Sequence, residues 1–130
     1  MAKISEFIKA EDFKKEKHVP VIELPSNVKA GEEFEVKVTV GKEIKHPNVT
    51  EHFIGYIELF YNSGDGKTVF NLGRAEFSSH GESTEGPNKG PAHTEPVAVF
   101  RVKIDKPGLL VAVSYCNIHG LWENSLEVKF

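Results

Sequence analysis

Glu33-Phe34-Glu35-Val36-Lys37-Val38-Thr39-Val40 alternates polar and apolar residues without a break. Successive side chains of a strand point to opposite faces, so this octet predicts a strand with one face buried and the other in water. Working outward, Phe53 to Tyr61 is rich in aromatic and branched residues, and the cluster Asn62-Ser63-Gly64-Asp65-Gly66 turns it toward a partner near Thr68 to Phe77. Val97 to Ile104, the turn Asp105-Lys106-Pro107-Gly108, and Leu109 to Tyr115 read as a second hairpin. Ser125 to Phe130 alternates again and predicts a last strand. Upstream, Ile4, Phe7 and Ile8 stand at helical spacing and predict one short N-terminal helix. About seven short strands divided by turn signals predict an all-β sandwich. Two segments, Gly41 to His52 and Ser79 to Glu95, are long loops rich in Gly, Pro, Asn and His. Loops of that kind on a rigid scaffold are where sites sit.

The chain has 130 residues, enough for one domain, 1–130, to bury a core without disulfides. Its formal charge of -3 gives no general attraction to nucleic acid or to an anionic membrane, and neither is expected as a partner. No run of apolar residues is long enough for a membrane helix. The start, Met1-Ala2-Lys3-Ile4-Ser5-Glu6-Phe7, lacks the apolar block of a secretory signal, so a cytoplasmic location is expected.

The single cysteine, Cys116, has no internal disulfide partner, which leaves a buried thiol, a reactive thiol or a metal ligand. The buried thiol is the commoner case, and six histidines in so short a chain begin to shift the balance toward the last. Four of them stand beside turn-forming or charged residues: His18 in Glu16-Lys17-His18-Val19-Pro20, His46 before Pro47-Asn48, His52 after Thr50-Glu51, and His119 in Cys116-Asn117-Ile118-His119-Gly120. A Cys-x-x-His pair at a strand end lets a thiolate and an imidazole face one ion. Thiolate with imidazoles suits zinc, copper or iron and argues against magnesium or calcium. Structural zinc commonly takes paired Cys-x-x-Cys units, which are absent. Blue copper usually adds a late Met, whereas the only methionine here is Met1 and there is no glutamine. A backbone oxygen would still serve, which keeps copper in second place. Four His and one Cys would fill five octahedral positions on iron and leave a sixth for a small molecule.

These segments, together with His80-Gly81-Glu82-Ser83, Gly86-Pro87-Asn88, Thr94-Glu95-Pro96 and Ser114 to Trp122, resemble the superoxide reductase (neelaredoxin) family in order and spacing. The resemblance is to the one-iron class without a rubredoxin-like domain. It implies an Ig-like β-barrel, and one iron bound equatorially by His18, His46, His52 and His119 with Cys116 as axial thiolate. It further implies that Glu16 takes the opposite axial position when the iron is ferric, and that Lys17 attracts superoxide. An electron donor such as rubredoxin and a homotetrameric assembly are implied as well. Lys45, Phe53, Gly55 and His93 depart from the family pattern, which usually has Pro, His, Arg and Tyr there.

Blander readings stand beside these. Glu16 and Lys17 form, on that view, a solvated charge pair worth ~0–1 kcal/mol. His80 and His93 read as loop braces, and Tyr115 and Trp122 as packing residues. Two rival functions are a cupredoxin-like copper carrier and a non-catalytic Ig-like binding module. Metal content separates the first from an iron enzyme; retention of fold without metal marks the second.

Overall fold

A computed structural model describes residues 1–130. The strands are β1 (Lys9–Ala10), β2 (Pro20–Glu23), β3 (Glu33–Val40), β4 (Ile54–Asn62), β5 (Val69–Glu76), β6 (Val97–Lys103), β7 (Gly108–Cys116) and β8 (Gly120–Val128). They form two sheets, one ordered β1-β8-β7-β4-β5 and the other β2-β3-β6. All pairings are antiparallel except β1 with β8. The all-β sandwich read from alternation is the observed architecture.

The octet that opened the reading is β3, and its burial alternates as its sequence does: Phe34, Val36, Val38 and Val40 are inside. These residues meet Ile57, Leu59, Leu110 and Ala112 of the larger sheet in one shared core cluster. On β4 the inward residues are Ile54, then Ile57, Leu59 and Tyr61, so the period of two slips once. The slip is a bulge: Ile54 pairs with Cys116 and Tyr56 with Tyr115, leaving Gly55 extra. A side chain at Gly55 would stand 3.2 Å from the Tyr115 ring, tighter than nearly all Cβ contacts. At the opposite end, the Tyr61 hydroxyl donates to Lys106 O at 2.7 Å and ties the β6–β7 turn to β4.

Two expectations are corrected, and one strand is added to them. The N-terminal helix is a single 3-10 turn, Ile4–Glu6. Ile4 and Phe7 are exposed and bury no face, and a helix that short has no cooperative length to support it. The next residues instead add to a sheet, Lys9 against Trp122 and Ala10 against Glu123. β2 was not foreseen, because Val19-Pro20-Val21-Ile22 is buried throughout and shows no alternation. The last strand starts at Gly120, not Ser125, since a tight turn after Cys116 brings the chain directly back along β7.

Replacing Leu59, which is wholly buried, by Ala should lower the free energy of unfolding by about 2–5 kcal/mol. Val99→Ala, on the outer face of β6 where the side chain is 56% exposed, should stay within about 0.5 kcal/mol. Urea denaturation of the two variants checks both values.

Candidate metal centre

Ligand-type residues from three distant segments meet at one end of the sandwich. Donor atoms of His18, His52, Cys116 and His119 all lie within 4.8 Å of one another. His46 borders this set, its ring centroid 4.8 Å from those of both His18 and His52. His18 and Cys116 are buried, His52 is half-buried, and His119 reaches the surface.

Each residue has a local reason to be there. Cys116 closes β7 and points inward, and the turn Asn117-Ile118 returns His119 to the same side. The His119 N–H donates to Cys116 Sγ at 3.3 Å, and His119 Nδ1 lies 3.6 Å from that sulfur. His18 stands two residues before the start of β2; its carbonyl accepts a bond from the buried Ser114 hydroxyl at 2.9 Å. Trp122 stacks on the His18 ring, centroids 5.0 Å apart and planes 13° from parallel. His52 ends a reverse turn closed by reciprocal bonds with Val49, both 3.1 Å. Gly41 opens the loop to His46 at φ +85°, and a Cβ there would stand 2.8 Å from His46 N.

Hydrogen bonds choose which ring nitrogen is available. His46 Nδ1 donates to Pro47 O at 2.7 Å, which leaves Nε2 buried with no partner. His52 Nε2 is buried and unpartnered as well. His18 Nδ1 donates to Glu16 Oε1 at 2.5 Å, turning Nε2 toward His119 Nδ1, 3.1 Å away. Nitrogen lone pairs left bare in a partly apolar setting are costly unless something electropositive faces them. Together with a sulfur at contact distance, they fit a borderline-soft transition ion. A hydrogen-bonded imidazole Nδ1 is what metal-binding histidines commonly show on the side away from the ion.

Electrostatics point the same way. Burial pushes the His46 imidazolium down to about 4, against an ordinary value of 6.5. Burial lowers His18 and His52 too, with Glu16 partly opposing this at His18. The Lys17 charge acts on all three rings. Burial raises Glu16, but its side-chain and backbone bonds to His18 outweigh that, and its carboxyl lies below the usual value. The pair is a carboxylate holding the Nδ1–H of a neutral imidazole.

Of the residues singled out in the sequence, His18, His52, Cys116 and His119 converge and His46 adjoins them. Glu16 lies on the Nδ1 side of His18, outside the donor set. Lys17 is half-buried beside it. His80 and His93 stand apart: they pair in an isolated bridge, and His80 is buried with its ring stacked on Phe53 at 3.7 Å. Sequence reasoning missed the asparagines. Asn88, the one non-glycine residue at positive φ (61°), receives and donates bonds across Thr50 and spans both Glu51 oxygens, clasping the 79–95 loop to the turn before His52. Its place in Gly-Pro-Asn was the available signal, since Asn tolerates that conformation.

Three imidazoles and a cysteine sulfur gathered at the end of a β-sandwich, with a fourth imidazole beside them, are the donor set of a small protein able to hold a single transition-metal ion. The desulfoferrodoxin family model matches residues 10–125, and the chain belongs to that family. It is 54% identical over 126 residues to the superoxide reductase of Pyrococcus furiosus, covering 97% of this chain and 99% of that protein. It is 47% identical to the neelaredoxin of Megalodesulfovibrio gigas, covering 97% of each. The superoxide reductase (neelaredoxin) from Archaeoglobus fulgidus in the reduced form superposes with a TM-score of 0.88 at 51% identity, over 95% of this chain and 98% of that one.

A histidine whose folded-state pKa lies below its unfolded value binds its proton more weakly when folded. Stability from His46 is therefore full above about 6.5 and is lost as pH falls toward about 4, and His18 and His52, lowered by burial as well, lose stability in the same direction. The metal-free protein should show a urea midpoint that drops between pH 7 and pH 4.5. His46→Gln should flatten that slope.

Proposed function

We propose that His18, His46, His52, His119 and Cys116 hold one iron ion and that Glu16 and Lys17 serve the reaction at it. The chain is a superoxide reductase: superoxide gains one electron and two protons and leaves as hydrogen peroxide. The observation that carries the site assignment is the convergence of unpartnered imidazole nitrogens on a buried thiol. The iron, when bound, supplies the electron.

The residues do the rest. Cys116 contributes negative charge as a thiolate, which the His119 N–H bond at 3.3 Å tempers and orients. Glu16 fixes the His18 tautomer and increases the basicity of its Nε2. The family resemblance gives Glu16 a second role as a ligand of the oxidised ion. His119 and Ile118 are exposed, so water reaches this edge and can deliver protons. Lys17 supplies positive charge where the net charge of -3 would repel an anion. The reductant is proposed to be a one-electron carrier such as rubredoxin, the assembly a homotetramer, and the location the cytoplasm. No helix is long and apolar enough to cross a membrane. The whole chain, 1–130, is read as one iron-binding domain, because both sheets share a core cluster.

The protein as isolated should contain one iron per chain and, once oxidised, show a sulfur-to-metal charge-transfer band in the visible. Cys116→Ser should abolish that band and most reductase activity; copper in place of iron, or an unchanged spectrum in the variant, would refute the assignment. With excess reductant, peroxide should form without matching release of dioxygen.

A single charge near an open site attracts a univalent anion by roughly 1–3 kcal/mol at effective dielectric constants between about 60 and 20. Lys17→Ala should therefore slow the bimolecular step with superoxide about five- to a hundredfold, leaving iron content and spectrum intact. Lys17→Arg should keep most of the rate, and the wild-type rate should fall as salt rises. Pulse radiolysis across ionic strengths measures this; equal rates for wild type and Lys17→Ala exclude steering by Lys17.

A further inference from the structure

Asn117 sits between two residues of the donor set, Cys116 and His119, and its polar groups all engage the segment around a third, His52. Its Oδ1 accepts the Phe53 N–H at 2.8 Å. Its Nδ2 donates to Glu51 O at 3.0 Å. Its own N–H donates to Phe53 O at 3.2 Å. These bonds bracket His52 on both sides of its peptide unit. They also continue the β4–β7 ladder, whose last paired residues are Ile54 and Cys116. Beyond that pair the two chains separate into turns, and the Asn117 side chain supplies one further rung that backbone alone would not make.

We propose that Asn117 is a positioning residue that locks the Cys116–His119 turn to the His52 turn, so that thiolate and imidazole present themselves to the metal as one unit. The inference rests on the reading of His52 as a ligand. The chemistry asks for asparagine. An amide carries a donor and an acceptor on one short planar group and copies the hydrogen-bonding face of a peptide. Asp keeps the acceptor and loses the donor, while Ser and Ala reach neither partner. The lock matters because four donor atoms lie within 4.8 Å of one another, and electron-rich atoms that close hold their places only if the backbone beneath them is fixed. The His52 turn is otherwise held by its own Val49 bonds, by Asn88 on Thr50 and Glu51, and by the Thr50 hydroxyl donating to His80 O at 3.1 Å, none of which reaches the Cys116–His119 turn.

The test uses the full-length protein stripped of metal and titrated with cobalt(II), following ligand-field bands for coordination number and the sulfur-to-cobalt band for the thiolate. Asn117→Ala should keep the sulfur band, alter the ligand-field bands as His52→Ala does, and weaken cobalt binding about 10- to 100-fold. The double variant Asn117→Ala/His52→Ala should bind little more weakly than His52→Ala alone, because Asn117 acts through His52. Asn117→Asp, which preserves shape, should fall between wild type and Ala, and carries the same comparison should the Ala variant not fold. Wild-type bands and affinity in both Asn117 variants, or losses that multiply in the double variant, would overturn the positioning role. If His52→Ala itself leaves the ligand-field bands unchanged, the reading of His52 as a ligand fails and this inference fails with it. A changed His52→Ala spectrum beside unchanged Asn117 variants overturns the positioning role alone.

Discussion

The burial of Val36, Val38 and Val40 against Ile57, Leu59, Leu110 and Ala112 is the interaction on which everything else in this molecule rests. Each fully buried side chain of this size contributes roughly 1.5–3 kcal/mol relative to exposure. That burial fixes the register of β4 and β7, because a slip by one residue would turn every inward side chain to water. Register in turn decides that Ile54 faces Cys116 and that the turn after Cys116 begins beside the one that carries His52. The metal centre therefore sits where two strands run out of ladder.

The surplus of stability in the core allows the site to be unfavourable on its own terms. His18 Nε2 and His119 Nδ1 face one another at 3.1 Å, while Nε2 of His46 and of His52 have no partner. A cluster of this kind would disperse if each side chain hung on a free loop. It is held because each arrives with a separate restraint: Ser114 on the His18 carbonyl, Pro47 O on His46, the Val49 pair on His52, and the sulfur on His119. These restraints fall on the backbone or on the nitrogen away from the cluster, which leaves the converging ring nitrogens facing one another. The side chains are thus placed by the fold itself, each by a contact of its own.

How much of this is legible in the chain depends on whether the cause is local. The octet Glu33 to Val40 announces β3 because alternation is a property of neighbours. The Cys-x-x-His spacing announces Cys116 and His119 for the same reason. β2 is silent because buried on both sides it has no period, and the N-terminal turn misleads because apolar spacing says nothing of whether a core waits beneath. His18, His46 and His52 are visible as histidines in loops, and the family resemblance groups them; nothing local says they meet. The roles of Asn88, Asn117 and Ser114 are hidden altogether, since a polar residue in a turn looks alike whether it bonds to water or to a segment some forty to a hundred residues away.

Trp122 is the chain's single tryptophan, and its ring lies flat against His18 with Lys9 Nζ 5.4 Å from its centroid. An indole stacked on an imidazole shares its electronic surroundings, and excited indole is quenched by nearby charge and by transition ions. The fold has thus placed one fluorophore against one ligand, with no second tryptophan to dilute the signal. The ultraviolet emission of the unlabelled protein consequently comes from one place, and it answers to the charge that stands beside His18.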